Sequence, residues 1–80
     1  METRVAILAI IVEDMNSAAR VNEILHDYSD YVIGRMGLPY KQRGINIISV
    51  VVDAPHDIIS ALSGKIGRIP GVSSKTMYSK

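Results

Sequence analysis

Two stretches of this chain, "VAILAIIV" at residues 5–12 and "INIISVVVDA" at residues 45–54, offer apolar side chains to both sides of an extended strand, and this limits the available folds more than any other feature. Successive side chains of a strand point to opposite faces. Val5, Ile7 and Ile11 therefore point one way while Leu8, Ile10 and Val12 point the other. In the second stretch Ile45, Ile47 and Val51 oppose Ile48, Val50 and Val52. An antiparallel sheet with one wet face alternates apolar with polar, and continuous apolar runs belong to strands covered on both sides. Both stretches thus read as central strands, and each face of their sheet needs a cover.

The remaining segments supply one cover. After the first stretch, "MNSAARVNEILHDY" keeps Met15, Ala18, Ala19, Val21, Leu25 and Tyr28 at the spacing of an amphipathic helix. After the second, Ile58, Ile59, Leu62, Ile66 and Ile69 repeat that spacing, and Pro55 suits the first turn of a helix. "DYVIGRMGL" and "GVSSKTMYS" are shorter extended segments bounded by glycine and proline, and the charged "PYKQRG" between the halves is a turn. The order is βαββαβ. It predicts an α+β, ferredoxin-like sandwich over residues 1–80 as a single domain, with a four-stranded antiparallel sheet ordered 4-1-3-2 and two helices on one face.

The other face calls for assembly. A chain of 80 residues buries only about 60 to 65 per cent of its unfolded surface, and an apolar sheet face is larger than monomers normally leave open. We expect a homo-dimer or tetramer, with Ile48, Val50, Val52, Leu8 and Ile10 at the interface.

Composition excludes several functions. Without cysteine the chain forms no disulfide, thiolate nucleophile or cysteine metal site. A net charge of +1 asks for no polyanionic partner, and Arg35, Lys41, Arg43, Lys65, Arg68 and Lys75 are scattered along the sequence. Ferredoxin-like RNA binders stack bases on aromatic residues of the central strands. Here those positions hold isoleucine and valine and the chain has no phenylalanine or tryptophan, which argues against direct nucleic-acid binding. The apolar run Val5 to Val12 is too short to span a bilayer, and the first residues lack a signal-peptide pattern, so the expected setting is cytoplasmic with no membrane contact.

Glu13, Asp14 and Asp53 stand where the central strands hand over to their helices, so three carboxylates are expected at one edge of the sheet. Such a group can hold a hard cation or perform acid–base work, although helix N-termini favour acidic residues for capping and dipole reasons alone. His26 and His56 have no second histidine or cysteine at ligand spacing. "GKIGRIPG" has neither dinucleotide nor P-loop spacing, and its Gly67, Pro70 and Gly71 read as a helix end and a turn. No catalytic residue, metal site or cofactor is expected.

The segments "RVNEILHDYSDYVIGRMGLP" and "INIISVVVDAPHDIISALSGKIGRIPGV", with the closing "SSKT", resemble the small iron-only hydrogenase system regulator family, stand-alone ACT-like domains similar to the ligand-binding half of the nickel-responsive repressor. The resemblance covers nearly the whole chain. It implies an oligomeric, ferredoxin-like regulatory or accessory module connected with [FeFe]-hydrogenase. It also sets His26 opposite one of the repressor's metal-ligand histidines, while the remaining ligand positions fall near Gly37, Pro39 and Ile45, which argues against nickel bound in that way. The repressor's DNA-binding ribbon has no counterpart before Arg4. Amino-acid-binding ACT domains place a glycine in the turn after the first strand, and "EDMNSA" has none.

Two readings remain open. One is a non-catalytic regulatory module that binds a small-molecule effector in a groove between subunits, lined by Glu13, Asp14, Asn16 and Ser17 with Asp53 and His56 as a second wall. The other is an assembly protein whose apolar sheet docks on a different polypeptide.

Overall fold

The computed structural model describes residues 2–80. Four strands, β1 (Arg4–Val12), β2 (Val32–Tyr40), β3 (Ile45–Ala54) and β4 (Val72–Tyr78), form one sheet in the order β2-β3-β1-β4, with every neighbouring pair antiparallel. Helices α1 (Ala18–Asp27) and α2 (His56–Gly67) pack on the same face of it. This is the predicted order and layering.

β1 and β3 lie in register from Arg4 opposite Ala54 to Val12 opposite Asn46. Each is hydrogen-bonded to a neighbouring strand on both sides, over residues 6–12 of β1 and most of residues 45–52 of β3, as central strands require. Leu8, Ile10, Val12, Ile48, Val50 and Val52 interleave with Val21, Ile24 and Leu25 of α1 and with Ile59, Leu62 and Ile66 of α2. These side chains are the core. The five residues expected at a subunit interface are all among them. Leu8, Ile10 and Val50 are 0 % exposed, Val52 1 % and Ile48 6 %. Face assignment is thus the reverse of the expectation: parity places these residues under the helices, and the uncovered face belongs to Val5, Ile7, Ala9, Ile11, Ile47, Ser49 and Val51.

The helix boundaries differ slightly from the spacing argument. Met15 to Ser17 form a short 3-10 turn before α1, which leaves Met15 exposed, and Ala19 points outward while Ile24 takes a core place. Pro39 and Tyr40 extend β2 instead of opening a turn, and the chain reverses through Lys41–Arg43 and Gly44, whose φ of 64° favours glycine. A bulge at Ile33 shifts the register of β2 and lets Gly34, Met36, Leu38 and Tyr40 share the open face with Val51, Ser49, Ile47 and Ile45.

Candidate functional site

The expected carboxylate cluster does not form. Because β1 and β3 are antiparallel, their C-terminal ends lie at opposite ends of the sheet, and Asp53 is paired with Val5, eight residues before Glu13. At ~3.4 Å per residue this separates the two ends by about 27 Å. Among the described residues no three histidine, aspartate or glutamate side chains are grouped to hold a metal. The two walls proposed for one groove are therefore two distinct places within a single chain.

At the first end, Glu13, Asp14, Asn16 and Ser17 are brought together by local hydrogen bonding. The Asp14 carboxylate accepts from the Asn16 amide at 3.0 Å and so caps the 3-10 turn. The whole turn is locked to the segment entering β4. The Glu13 amide donates to the Gly71 carbonyl at 2.7 Å, and the buried Ser17 hydroxyl donates to the Pro70 carbonyl at 2.7 Å. Gly71 has a φ of 73°, and a Cβ built there would lie 2.5 Å from that of Asp14. Glycine is required twice over, by backbone conformation and by space. The "IPG" of the sequence is thus a clamp on the β1–α1 turn as well as a helix exit. His26 lies apart from this turn, exposed in the last turn of α1.

At the opposite end His56 begins α2 and stacks on Tyr78, with ring centroids 5.3 Å apart. The Arg4 guanidinium also lies on the Tyr78 ring, 4.5 Å from its centroid, and donates to the Ser79 carbonyl at 3.2 Å. These contacts fasten the end of β4 to the start of α2 and of β1. Asp53 points to the open face beside Val5, away from His56.

The largest feature without a structural partner is the open face of the sheet. Its rows run across the strands: Gly34, Val51, Ile7, Met77; then Met36, Ser49, Ala9, Lys75; then Leu38, Ile47, Ile11, Ser73. Val5 and Tyr40 extend the patch at its ends. Exposures of Val5, Ile7, Ile11, Met36, Leu38, Tyr40, Ile47 and Met77 run from 37 to 71 %, and such a concentration of open apolar residues on one face marks an interaction surface. Sequence reasoning missed the contributions of Met36, Leu38, Tyr40 and Met77, which sit on the outer strands β2 and β4. The parity of Ser49 and Asp53 was the available signal, since polar residues interrupt the side that helices do not cover. Within the strands this face carries one acid, Asp53, and one base, Lys75.

Comparison with known proteins agrees with the fold. A family model described as "TM1266-like: Iron-only hydrogenase system regulator, putative" matches residues 4–76. The uncharacterized protein TM1266 from Thermotoga maritima superimposes with a TM-score of 0.94 at 45 % identity, covering 99 % of this chain and 100 % of that one. Two more distant structures share the fold at 19 % identity. They are a formyltetrahydrofolate deformylase from Pseudomonas putida KT2440, with a TM-score of 0.65 over 91 % of this chain and 28 % of that one, and a protein from Galdieria sulphuraria, with a TM-score of 0.66 over 99 % and 46 %. No curated protein matches the chain. With 73 consecutive positions fitted by one family model and full-length superposition on TM1266, this chain belongs to the TM1266-like family, the iron-only hydrogenase system regulators.

Proposed function

We propose that the protein is a non-catalytic regulatory module of the iron-only hydrogenase system that works as a homo-oligomer, its protomers meeting through the open face of the sheet. The observation that carries this reading is the patch around Ile7, Ile11, Ile47 and Met77. Eight apolar residues on this face are each 37 to 71 % exposed, the kind of concentration that marks an interaction surface. A two-fold contact uses the same surface on both copies, and Asp53 and Lys75 offer each copy one charge of either sign to set against the other.

The test combines assembly with physiology. Non-denaturing mass spectrometry should find the protein at twice its 8.8 kDa chain mass or a higher multiple, and Ile7→Lys should return it to the chain mass while the fold is kept. In cells with an iron-only hydrogenase, removing the protein should alter hydrogenase level or activity, and the Ile7→Lys variant should fail to restore it. A wild-type protein that stays monomeric at micromolar concentration overturns the self-association reading and assigns the face to a different polypeptide.

A further inference from the structure

The basic residues that are dispersed in the sequence are not all dispersed in space. Antiparallel packing of the helices sets the first turns of α1 beside the last turns of α2, and the bond from Ser17 to Pro70 fixes that juxtaposition. Between them lies a hollow of about 340 Å³ lined by Arg20, Ile24, Lys65, Arg68, Ile69 and Pro70. Arg20 and Ile24 are four apart on α1, and Lys65 and Arg68 are three apart at the end of α2, so each pair shares one helix face. Three cations meet there in a chain whose net charge is +1. No carboxylate lines the hollow.

Ordinary structural causes account for part of this cluster. Lys65 and Arg68 stand at the C-terminal end of α2, where the helix dipole favours positive charge. Lys65 also lies over the Tyr28 ring at 5.0 Å. Arg20 is different: it occupies the first turn of α1, the end at which the dipole disfavours a cation. Its carboxylate partner Glu23 is exposed on the same helix, and this is the one ion pair among the described residues. Lys65 and Arg68 have no such partner there. Arg20 thus keeps one carboxylate contact, and Lys65 and Arg68 bring two further positive charges to the same hollow.

We infer that this hollow is a binding site for a small phosphorylated ligand, with Arg20, Lys65 and Arg68 holding the phosphate oxygens and the exposed Pro70, backed by the buried Ile24 and Ile69, at its floor. Guanidinium groups match phosphate oxygens with two parallel donors, and a lysine adds a movable point charge. The volume lies at the lower end of small-molecule sites. A single concave group of three cations suits a compact ligand, whereas a nucleic-acid backbone is met by an extended basic surface. The site lies in the helix layer, on the side opposite the open sheet face, so it stands independently of the proposed self-association.

Titration of inorganic pyrophosphate into the isotopically labelled full chain, followed by amide NMR, tests the assignment. Saturable shifts centred on residues 20–24 and 65–70 are expected, with binding that weakens as salt is raised. Combined Lys65→Ala and Arg68→Ala substitution should weaken binding by at least about tenfold, and Lys75→Ala, on the opposite face, should leave it unchanged. Both altered side chains are exposed, and circular dichroism with Arg68→Gln as a milder variant separates lost binding from lost fold. Absence of saturation at about 10 mM, or equal affinity in the double variant, overturns the site. A short DNA duplex that moves the same resonances at lower concentration would assign the cations to a nucleic-acid backbone and overturn the small-ligand reading. None of these outcomes bears on the chain's mass in solution, so the two proposals fail separately.

Discussion

On β1, Leu8, Ile10 and Val12 are fully buried beneath the helices, while Ile7 and Ile11, one position away in each case, remain 43 and 41 % exposed on the other side of the same strand. The two faces are alike in residue type and differ in what covers them. Both hold β-branched and aliphatic side chains, and β3 repeats the division with Val50 and Val52 against Ile47 and Val51. Hydrophobicity is non-directional. It identifies a strand as central, and it leaves open which side receives the helices of the same chain and which side stays open.

The strongest way to break the comparison is to truncate one residue on each face. Ile10→Ala should cost about 2–5 kcal/mol by opening a cavity in a closed core, measured by urea unfolding. Ile11→Ala should cost far less at concentrations where the protein is dissociated and more where it is assembled. If the two variants lost equal stability at every concentration, the faces would not differ as described.

A second, somewhat smaller effect concerns the clamp that seats the helices on the covered face. Gly71→Ala meets Asp14 and a left-handed backbone together and should destabilise by about 2–4 kcal/mol. Gly67→Ala, in the same glycine-rich segment, has open space at its Cβ position and no positive φ. It should be neutral or stabilise by up to about 1 kcal/mol. Thermal unfolding of the pair distinguishes a steric requirement from a general preference for glycine at a helix exit.

Next in size, Ser17→Ala removes the buried hydroxyl that donates to Pro70, and leaving that carbonyl unpaired should cost about 1–2 kcal/mol, read as a lowered unfolding midpoint. The smallest expected change in the stability of the isolated chain is Ile7→Lys on the open face, within about 0.5 kcal/mol of wild type. Its effect belongs to assembly and should appear as a loss of the multimeric mass. An Ile7→Lys protein that stayed assembled would move the interface from the sheet face to the strand edges.

The order βαββαβ was legible in the residues because each element carries its own period. Runs of β-branched side chains made β1 and β3 plain, and Ile59, Leu62 and Ile66 marked the inner stripe of α2. The candidate sites were less legible. Glu13, Asp14 and Asp53 occupy equivalent positions at two strand ends, and local pattern alone suggested that they would gather. Antiparallel pairing of β1 with β3 sends them to opposite ends. Arg20, Lys65 and Arg68 looked scattered because their meeting depends on how α1 lies against α2, a relation between segments some forty residues apart.

The sequence by itself determined the type and order of the elements, the central place of β1 and β3 and the apolar character of both faces of those strands. Each of these follows from local side-chain periodicity and from the cost of exposing apolar surface. Only the tertiary structure decided which face is which, which charges meet, and why Gly71 admits no other residue. Those properties depend on register and on the docking of segments distant in sequence, and a strand that is apolar on both sides carries too weak a parity signal to state them in advance.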